Sequence, residues 1–173
     1  MDIAALIRDV PDFPKPGILF KDITPLLANG DGLRCVVERL ADRYRGKVDV
    51  VVGVESRGFI LGAPVAYALG VGLCIVRKPG KLPHDTHTVS YELEYGRDTL
   101  EIHQDALPPG ARAVVLDDLL ATGGTARAAV SLVEACGGKV VECGFLIELA
   151  FLGGRAALTP VPVHSLLSYE AEG

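Results

Sequence analysis

The segment between residues 113 and 133 constrains the fold most, because an apolar run ends in two acids and a glycine-threonine turn. Residues 113–116 are a short apolar run bounded by polar residues, which is typical of a buried parallel strand. After the turn, apolar side chains recur at helical spacing, at Ala126, Ala129, Val130 and Val133. The segment therefore predicts a strand, a polar loop and a helix in direct succession.

The polar loop contains only small residues, and its position at a helix start favours binding of an anion. The first N–H groups of a helix lack intrahelical partners and carry positive dipole character, so a phosphate can bind there. Small residues leave room for it, and threonines add hydroxyl donors; the loop residues are Ala121, Thr122, Gly123, Gly124 and Thr125. The alternative is a plain turn in which Thr125 caps the helix.

Two adjacent acids, Asp117 and Asp118, precede this loop. Neighbouring strand residues point to opposite faces, so the pair is poorly placed to share a proton unless the chain turns between them. Carboxylates beside a phosphate-binding loop can instead accept hydrogen bonds from the diol of a ribose phosphate. Their charge would also favour positive charge that develops on the sugar. The alternative is a solvated pair that caps a turn.

Strand and helix patterns alternate along the rest of the chain. Apolar residues at intervals of three and four predict a helix that opens near residues 29–31 and continues through Tyr44. Further segments predict a strand at 48–54, a helix at 58–69, and strands at 73–76 and 140–149. This alternation predicts an α/β fold, a doubly wound and mainly parallel central sheet flanked by helices, as one domain over residues 1–173.

In such sheets, ligands bind beyond the carboxyl ends of the strands. Glu55, Ser56 and Arg57 fall at one such end, and residues 117–125 fall at another. Backbone donors at a helix start, together with the Arg57 guanidinium, suit a pyrophosphate. The alternative for Arg57 is an ordinary surface ion pair.

Residues 78–104 are polar and show few helical intervals, which predicts a long excursion or a hairpin. Long segments of this kind are often lids that exclude water and bring Lys or Arg to a leaving group. A solvated hairpin is the alternative. His84 and His87 do not follow a known metal-binding spacing, so we assign them no ligand role.

Composition limits the classes of function. The chain has 173 residues, 49% of them hydrophobic and 23% charged, which suits one globular domain, and its net charge of −5 argues against generic binding of nucleic acid or an anionic membrane. We find no membrane span and no signal peptide, and therefore expect a cytosolic protein. The four cysteines show no CxxC spacing, so we expect reduced thiols rather than zinc ligands or disulfides.

Four segments together resemble the adenine phosphoribosyltransferases of the type I phosphoribosyltransferase family. Residues 114–125 resemble the family's signature for phosphoribosyl diphosphate (PRPP), and 52–59 resemble its pyrophosphate loop. Residues 13–25 are similar to its base-recognition segment. Residues 77–83 and 91–96 are similar to its mobile catalytic loop. The segments occur in the family's order and cover nearly the whole chain.

The resemblance implies the reaction of adenine with PRPP to give AMP and pyrophosphate, with Mg²⁺ held through substrate oxygens rather than by protein ligands. It implies that Asp117 and Asp118 hold the ribose and that residues 121–125 hold the 5-phosphate. The residues implied at the pyrophosphate are Ser56, Arg57, Lys78 and Lys81, with Arg77 acting across a homodimer. A cis peptide is implied between Glu55 and Ser56.

The resemblance also implies which residues meet the base. Leu19 and Lys21 match positions whose backbone reads the adenine edge, and Leu119 and Leu149 match apolar positions near the base. Glu94 matches the proposed acid/base residue, and Arg57 is the second residue expected to act in catalysis. The N-terminal segment, roughly 1–35, would form a small hood, since its prolines favour extended or turning chain.

Two alternatives remain at this point. Adenine specificity depends on the N-terminal segment and the lid, so another purine or orotate phosphoribosyltransferase is the nearest alternative. The other is a non-catalytic regulator that senses PRPP or a nucleotide. Such regulators usually carry a DNA-binding module, and the chain has neither the spare length nor a basic helix for one.

Overall fold

A computed structural model describes residues 1–92 and 96–171. Its strands are β1 (Arg8–Pro11), β2 (Leu19–Asp22), β3 (Val50–Val54), β4 (Gly72–Val76), β5 (Thr86–Glu92), β6 (Arg97–His103), β7 (Arg112–Leu120), β8 (Lys139–Leu149) and β9 (Val163–Tyr169). Its α-helices are α1 (Thr24–Ala28), α2 (Gly30–Tyr44), α3 (Arg57–Leu69), α4 (Gly124–Ala135) and α5 (Gly154–Leu158), and 3₁₀ turns lie at Ala4–Leu6 and Ala150–Leu152.

Five strands form a parallel sheet in the order β4-β3-β7-β8-β9. The central strand β7 pairs with β3 through Val52 and Val115, and with β8 through Val115 and Cys143. Every residue of β3 is buried, as expected for a parallel strand covered on both faces. The predicted sheet is confirmed.

Alternate residues of the central strands enter two separate apolar cores, since successive side chains of a strand point to opposite faces. Val52 and Val115 pack in one core with α4 and with Leu100 of β6. Val51 and Val114 pack in the other core with α1, α2 and α3. Helices therefore cover both faces, which confirms the doubly wound arrangement.

The N-terminal segment is a hairpin followed by two helices. Strands β1 and β2 pair antiparallel, with Asp9 opposite Lys21. The prediction of extended chain holds there, but α1 was not predicted. The helix α2 begins where the sequence placed it, because the Asn29 side chain accepts a hydrogen bond from the Gly32 N–H at 2.8 Å. Residue 35, the approximate hood boundary, lies within α2, and the extent of the hood stays a prediction.

The predicted lid region contains an antiparallel hairpin of β5 and β6. Its base adjoins the end of β4 through a bridge between Arg77 and Glu101. Leu100 and Ile102 of β6 are fully buried, so the hairpin has one face in the core and is not the wholly solvated hairpin of the alternative reading. Its mobility stays a prediction.

No helix within residues 1–92 and 96–171 is long and apolar enough to cross a membrane. The four cysteines are free thiols, as expected, with Cys74 and Cys143 buried and Cys35 and Cys136 half-buried. Burial raises the pKa of the Cys74 and Cys143 thiols to about 12, so both remain protonated at neutral pH.

Candidate active site

The acidic pair lies within strand β7 and not after it. The sequence placed the end of this strand at residue 116, but pairing continues to Leu119 opposite Ile147 and Leu120 opposite Glu148. The physical reason is the length of β8, which supplies backbone partners beyond the apolar run. Asp117 and Asp118 are therefore neighbouring residues of one strand, and both line one cavity at its end.

The loop after β7 leads directly into α4. The helix begins at Gly124, and its N-cap is Gly123 with a φ of 89° and no side-chain cap. The alternative in which Thr125 caps the helix is therefore wrong. A Cβ on Gly123 would lie 2.6 Å from the Gly154 carbonyl oxygen, so this position requires glycine both for its φ and for its close contact with α5. The loop thus presents the start of a helix without a competing side-chain cap.

The helix α3 delivers Arg57 to the acidic pair. Its first residue follows the Glu55–Ser56 peptide, which is cis, as the resemblance implied. The Arg57 Nε donates a hydrogen bond to Asp118 Oδ2, and the guanidinium carbon lies 6.0 Å from the centroid of the Phe20 ring in β2. Burial alone would lower the pKa of Arg57, but the hydrogen bond and charge of Asp118 raise it above its ordinary value. The arginine remains a cation.

The two acids differ in their surroundings. Asp118 is 7% exposed and paired with Arg57, whereas Asp117 Oδ1 accepts a hydrogen bond from the Asp118 N–H at 2.8 Å. Burial, and next the Asp118 charge, raise the pKa of Asp117 well above its ordinary range. Asp118 therefore acts as the counter-ion of Arg57, and Asp117 is protonated more readily than an ordinary aspartate.

These elements enclose a cavity of about 330 Å³ at the carboxyl edge of the sheet. Most of the residues predicted to bind PRPP line it, and they come from the ends of β3 and β7, the start of α4 and the segment after β4. The lining residues are Glu55, Ser56, Arg57, Lys78, Leu100, Asp117, Asp118, Leu119, Leu120, Ala121, Thr122, Gly123, Gly124, Thr125 and Ala126. The two predicted loops do converge on one site.

Glu55 links Arg77 and Lys81 to this cavity, which they do not line themselves. The sequence had assigned Glu55 no role. Its carboxylate accepts hydrogen bonds from the Lys78 N–H at 2.8 Å and from Arg77 Nε at 3.3 Å. It also accepts one from Lys81 Nζ. Burial would raise the pKa of Glu55, but these donors hold it below its ordinary value. The signal that the sequence offered was the position of this acid inside residues 52–59, the segment that resembles the pyrophosphate loop.

Tyr91 and Asp98 of the hairpin also reach the site, and sequence reasoning missed both. Asp98 Oδ2 accepts hydrogen bonds from Lys78 Nζ and, at 3.2 Å, from the Tyr91 hydroxyl. The Tyr91 hydroxyl also lies 3.0 Å from Thr125 Oγ1. No spacing in the sequence predicts this network, because strand pairing and packing against α4 bring its members together.

The chain resembles known proteins over nearly all of its length. Residues 23–158 match the family described as "Phosphoribosyl transferase domain". The "Adenine phosphoribosyltransferase" of Chloroflexus aurantiacus is 58% identical over 169 residues, which are 97% of this chain and 98% of that protein. The crystal structure of adenine phosphoribosyltransferase from Thermoanaerobacter pseudethanolicus has a TM-score of 0.94 at 52% identity, covering 97% of this chain and 98% of that one.

A third match includes ligands. The structure of adenine phosphoribosyltransferase from Saccharomyces cerevisiae, complexed with an imino-altritol bisphosphate and adenine, has a TM-score of 0.91 at 41% identity and covers 96% of this chain and 97% of that one. The chain belongs to the adenine phosphoribosyltransferase family. The resemblance noted from the sequence is thereby confirmed, and the protein is a phosphoribosyltransferase.

Within this family fold, the residues expected at the base are more dispersed than those expected at PRPP. Leu119 lines the cavity, but Leu19, Lys21 and Leu149 do not. Lys21 of β2 pairs with Asp9 at 2.6 Å, and its Nζ lies 4.2 Å from the centroid of the Tyr169 ring. Leu149 is the β8 residue opposite Tyr169.

These contacts place β2 beside the end of β9, which pairs with the end of β8. Glu94, expected to act as acid or base, lies outside the described residues.

Proposed function

We propose that the cavity binds PRPP along the carboxyl edge of the sheet and transfers its 5-phosphoribosyl group to adenine, giving AMP and pyrophosphate in purine salvage. The observation that carries this proposal is the convergence of the β3–α3 and β7–α4 loops, with their hydroxyl, guanidinium and carboxylate groups, on one cavity. Each loop ends at a helix start, where anions bind well. The two loops suit the two phosphate-bearing ends of PRPP.

Each group in the cavity then has a distinct task. The 5-phosphate binds at residues 121–125, where α4 begins. The ribose hydroxyls donate to Asp117 and Asp118, whose charge favours positive charge that develops at the anomeric carbon. Ser56 and Arg57 face the pyrophosphate end with Lys78, and Arg57 exchanges its bond to Asp118 for the substrate.

The hood and the hairpin would bind the acceptor. The adenine edge would meet the backbone of Leu19 and Lys21, and Leu119 and Leu149 would pack near the ring. The short distance from Phe20 to Arg57 brings β2 next to the pyrophosphate loop and supports this assignment. Glu94 would exchange a proton with the base as its ring nitrogen attacks the sugar, which requires a pKa near neutrality.

Magnesium fits this site as a partner of the substrate. Mg²⁺ prefers oxygen ligands, keeps several waters and is usually held by one or two carboxylates together with substrate phosphates. Among the described residues, no group of three or more His, Cys, Asp or Glu side chains is placed to hold a metal. Asp117 and Asp118 line the same cavity and would bind the ribose of the substrate that carries the ion. The ion would neutralise charge on the leaving pyrophosphate.

A homodimer is the assembly that we propose. The outer face of α3 and the edge strand β4 expose apolar side chains, with Ile60 at 45%, Tyr67 at 90% and Leu73 at 39%. This face adjoins Arg77, whose guanidinium carbon lies 6.0 Å from the centroid of the Phe59 ring. A second copy of the chain would cover this face and place Arg77 beside the partner's cavity.

A panel of bases tests the proposed reaction. Purified protein is given PRPP and Mg²⁺ with adenine, hypoxanthine, guanine, xanthine or orotate in separate reactions, and each nucleotide is quantified. AMP should dominate. Another dominant nucleotide would overturn the choice of base, and binding of PRPP without any nucleotide would overturn the enzymatic proposal in favour of a sensor.

A further inference from the structure

Tyr91 is held directly on the loop proposed to bind the 5-phosphate. Its ring lies against the backbone at the start of α4, where a Cβ added to Gly124 would be 3.2 Å from Tyr91 Cδ2. The ring also packs against the core that α4 shares with the sheet. This contact fixes the Tyr91 hydroxyl between Thr125 Oγ1, at 3.0 Å, and Asp98 Oδ2, at 3.2 Å.

The direction of these hydrogen bonds follows from the number of protons available. The hydrogen bond from Lys78 lowers the pKa of Asp98, so Asp98 is an ionised carboxylate and can only accept. Burial raises the pKa of Tyr91, which keeps its proton. The Tyr91 hydroxyl therefore donates to Asp98, and the Thr125 hydroxyl donates to the Tyr91 oxygen. The single proton of Thr125 is thus already in use.

The same short network holds the Lys78 ammonium. Asp98 Oδ2 accepts from Lys78 Nζ, and Asp98 Oδ1 accepts from the Thr99 N–H at 2.8 Å. A bound phosphate offers only acceptor oxygens, so it needs the Thr125 proton that Tyr91 takes. A pyrophosphate would also bind the Lys78 ammonium, one of whose three N–H donors is held by the Asp98 carboxylate. One network therefore engages a donor at each end of the proposed PRPP site.

We propose that Tyr91 and Asp98 are positioning residues that set the affinity for PRPP, because PRPP must displace the bond that holds the Thr125 hydroxyl and must share the Lys78 ammonium with the Asp98 carboxylate. The inference rests on the proposed function, since it assigns the two ends of the cavity to the two phosphate-bearing ends of PRPP. The network keeps these donors ordered in the free protein and weakens the binding of both products, AMP and pyrophosphate.

The test measures the affinity of the full-length protein for two probes, ribose 5-phosphate and pyrophosphate, by isothermal titration calorimetry with Mg²⁺. Tyr91→Phe removes only the competing hydroxyl and keeps the ring, so affinity for ribose 5-phosphate should rise about threefold to tenfold, the value of one hydrogen bond. In a Thr125→Val background the same change should have no effect. Asp98→Asn should raise the affinity for pyrophosphate by about the same factor.

Steady-state kinetics adds a reading that a purely structural role would not change. Both variants should lower KM for PRPP and leave KM for adenine unaltered. Ser90→Ala is the matched control, because Ser90 Oγ pairs with Thr99 Oγ1 at 2.9 Å on the exposed face of the same hairpin. Its probe affinities should equal those of the wild type.

Two outcomes would overturn the inference. One is that Tyr91→Phe leaves the affinity for ribose 5-phosphate unchanged or weakens it. The other is that Tyr91→Phe changes this affinity by the same factor in the wild type and in the Thr125→Val background. A wild-type protein that binds neither probe nor PRPP would instead overturn the proposed function, so the two failures are distinguishable.

Discussion

The two halves of the site are built in different ways. The β7–α4 segment lies in the middle of the sheet, where β7 pairs with β3 on one side and β8 on the other. The β5–β6 hairpin pairs with itself and, through one bridge between Arg77 and Glu101, with the end of β4. It contacts the rest of the site through side chains such as Tyr91 and Asp98. The first half is fixed by backbone pairing on both sides, and the second by its own pairing, one bridge at its base and the packing of one face against the core.

This difference matches a division of tasks in the proposed reaction. The donor PRPP has the same two charged ends in every turnover, so a rigid strand-loop-helix unit suits it. The site must also admit the base and then exclude water. The groups that bind the base therefore suit a hairpin and a hood that move on binding. The carboxylates Asp118, Glu55 and Asp98 pair with the cations of the site, Arg57, Lys81 and Lys78 respectively.

The largest effect is expected on the hairpin side. Glu94→Gln should lower kcat about 100-fold, the usual size of a general acid/base contribution, and leave the affinity for PRPP nearly unaltered. Single-turnover AMP formation together with PRPP titration separates the two quantities. If the variant keeps full turnover, Glu94 is not the acid/base residue and the hairpin is not required for the chemical step.

A change where α3 packs against β7 should lower the free energy of unfolding. In α3, a Cβ on Gly58 would lie 2.7 Å from the Leu116 carbonyl oxygen and 3.1 Å from Asp117 Oδ1, so Gly58→Ala forces the helix away from β7. We expect a loss of about 1–3 kcal/mol in the free energy of unfolding, measured with urea. Gly30→Ala is the control, because a Cβ there meets nothing within 4 Å. Equal stability of both variants would show that the contact of α3 with β7 is not tightly packed.

The acidic pair offers a smaller effect that depends on pH. Because the pKa of Asp117 is raised above its ordinary value of 3.8, its contribution to stability is complete below that value and is lost as pH rises through the raised pKa. Asp117→Asn lacks this loss, so it should be more stable than the wild type at neutral pH and equal to it in acid. Its kcat/KM for PRPP should fall about tenfold, because the ribose loses a charged acceptor.

Urea unfolding at several pH values, together with initial rates, checks both parts of this prediction. A variant that is less stable at neutral pH would show that the fold requires the ionised carboxylate.

The sequence predicted the β7–α4 half of the site well and the β5–β6 half poorly. Apolar runs such as residues 113–116 and helical spacing such as that from Leu33 to Tyr44 are local signals, and they located four strands of the sheet, the helices α2, α3 and α4, and both loops. The extension of β7 to Leu120 was missed, because its partner residues lie in β8. The pairing of Lys78 with Asp98 and of Lys81 with Glu55 was missed because polar contacts between distant segments leave no periodic pattern. Strand β9 was missed as well.

Hydrogen exchange with and without PRPP and Mg²⁺ tests the central claim, that one half of the site is preformed and the other is ordered by the substrate. Amides of Val114, Val115 and Leu116 should exchange only through global unfolding in both states, because they lie in a strand paired on both sides. Amides of β5 and β6 should exchange faster in the free protein and become protected when PRPP binds. Equal protection of the two regions in the free protein, or a hairpin that PRPP leaves unchanged, would contradict the account.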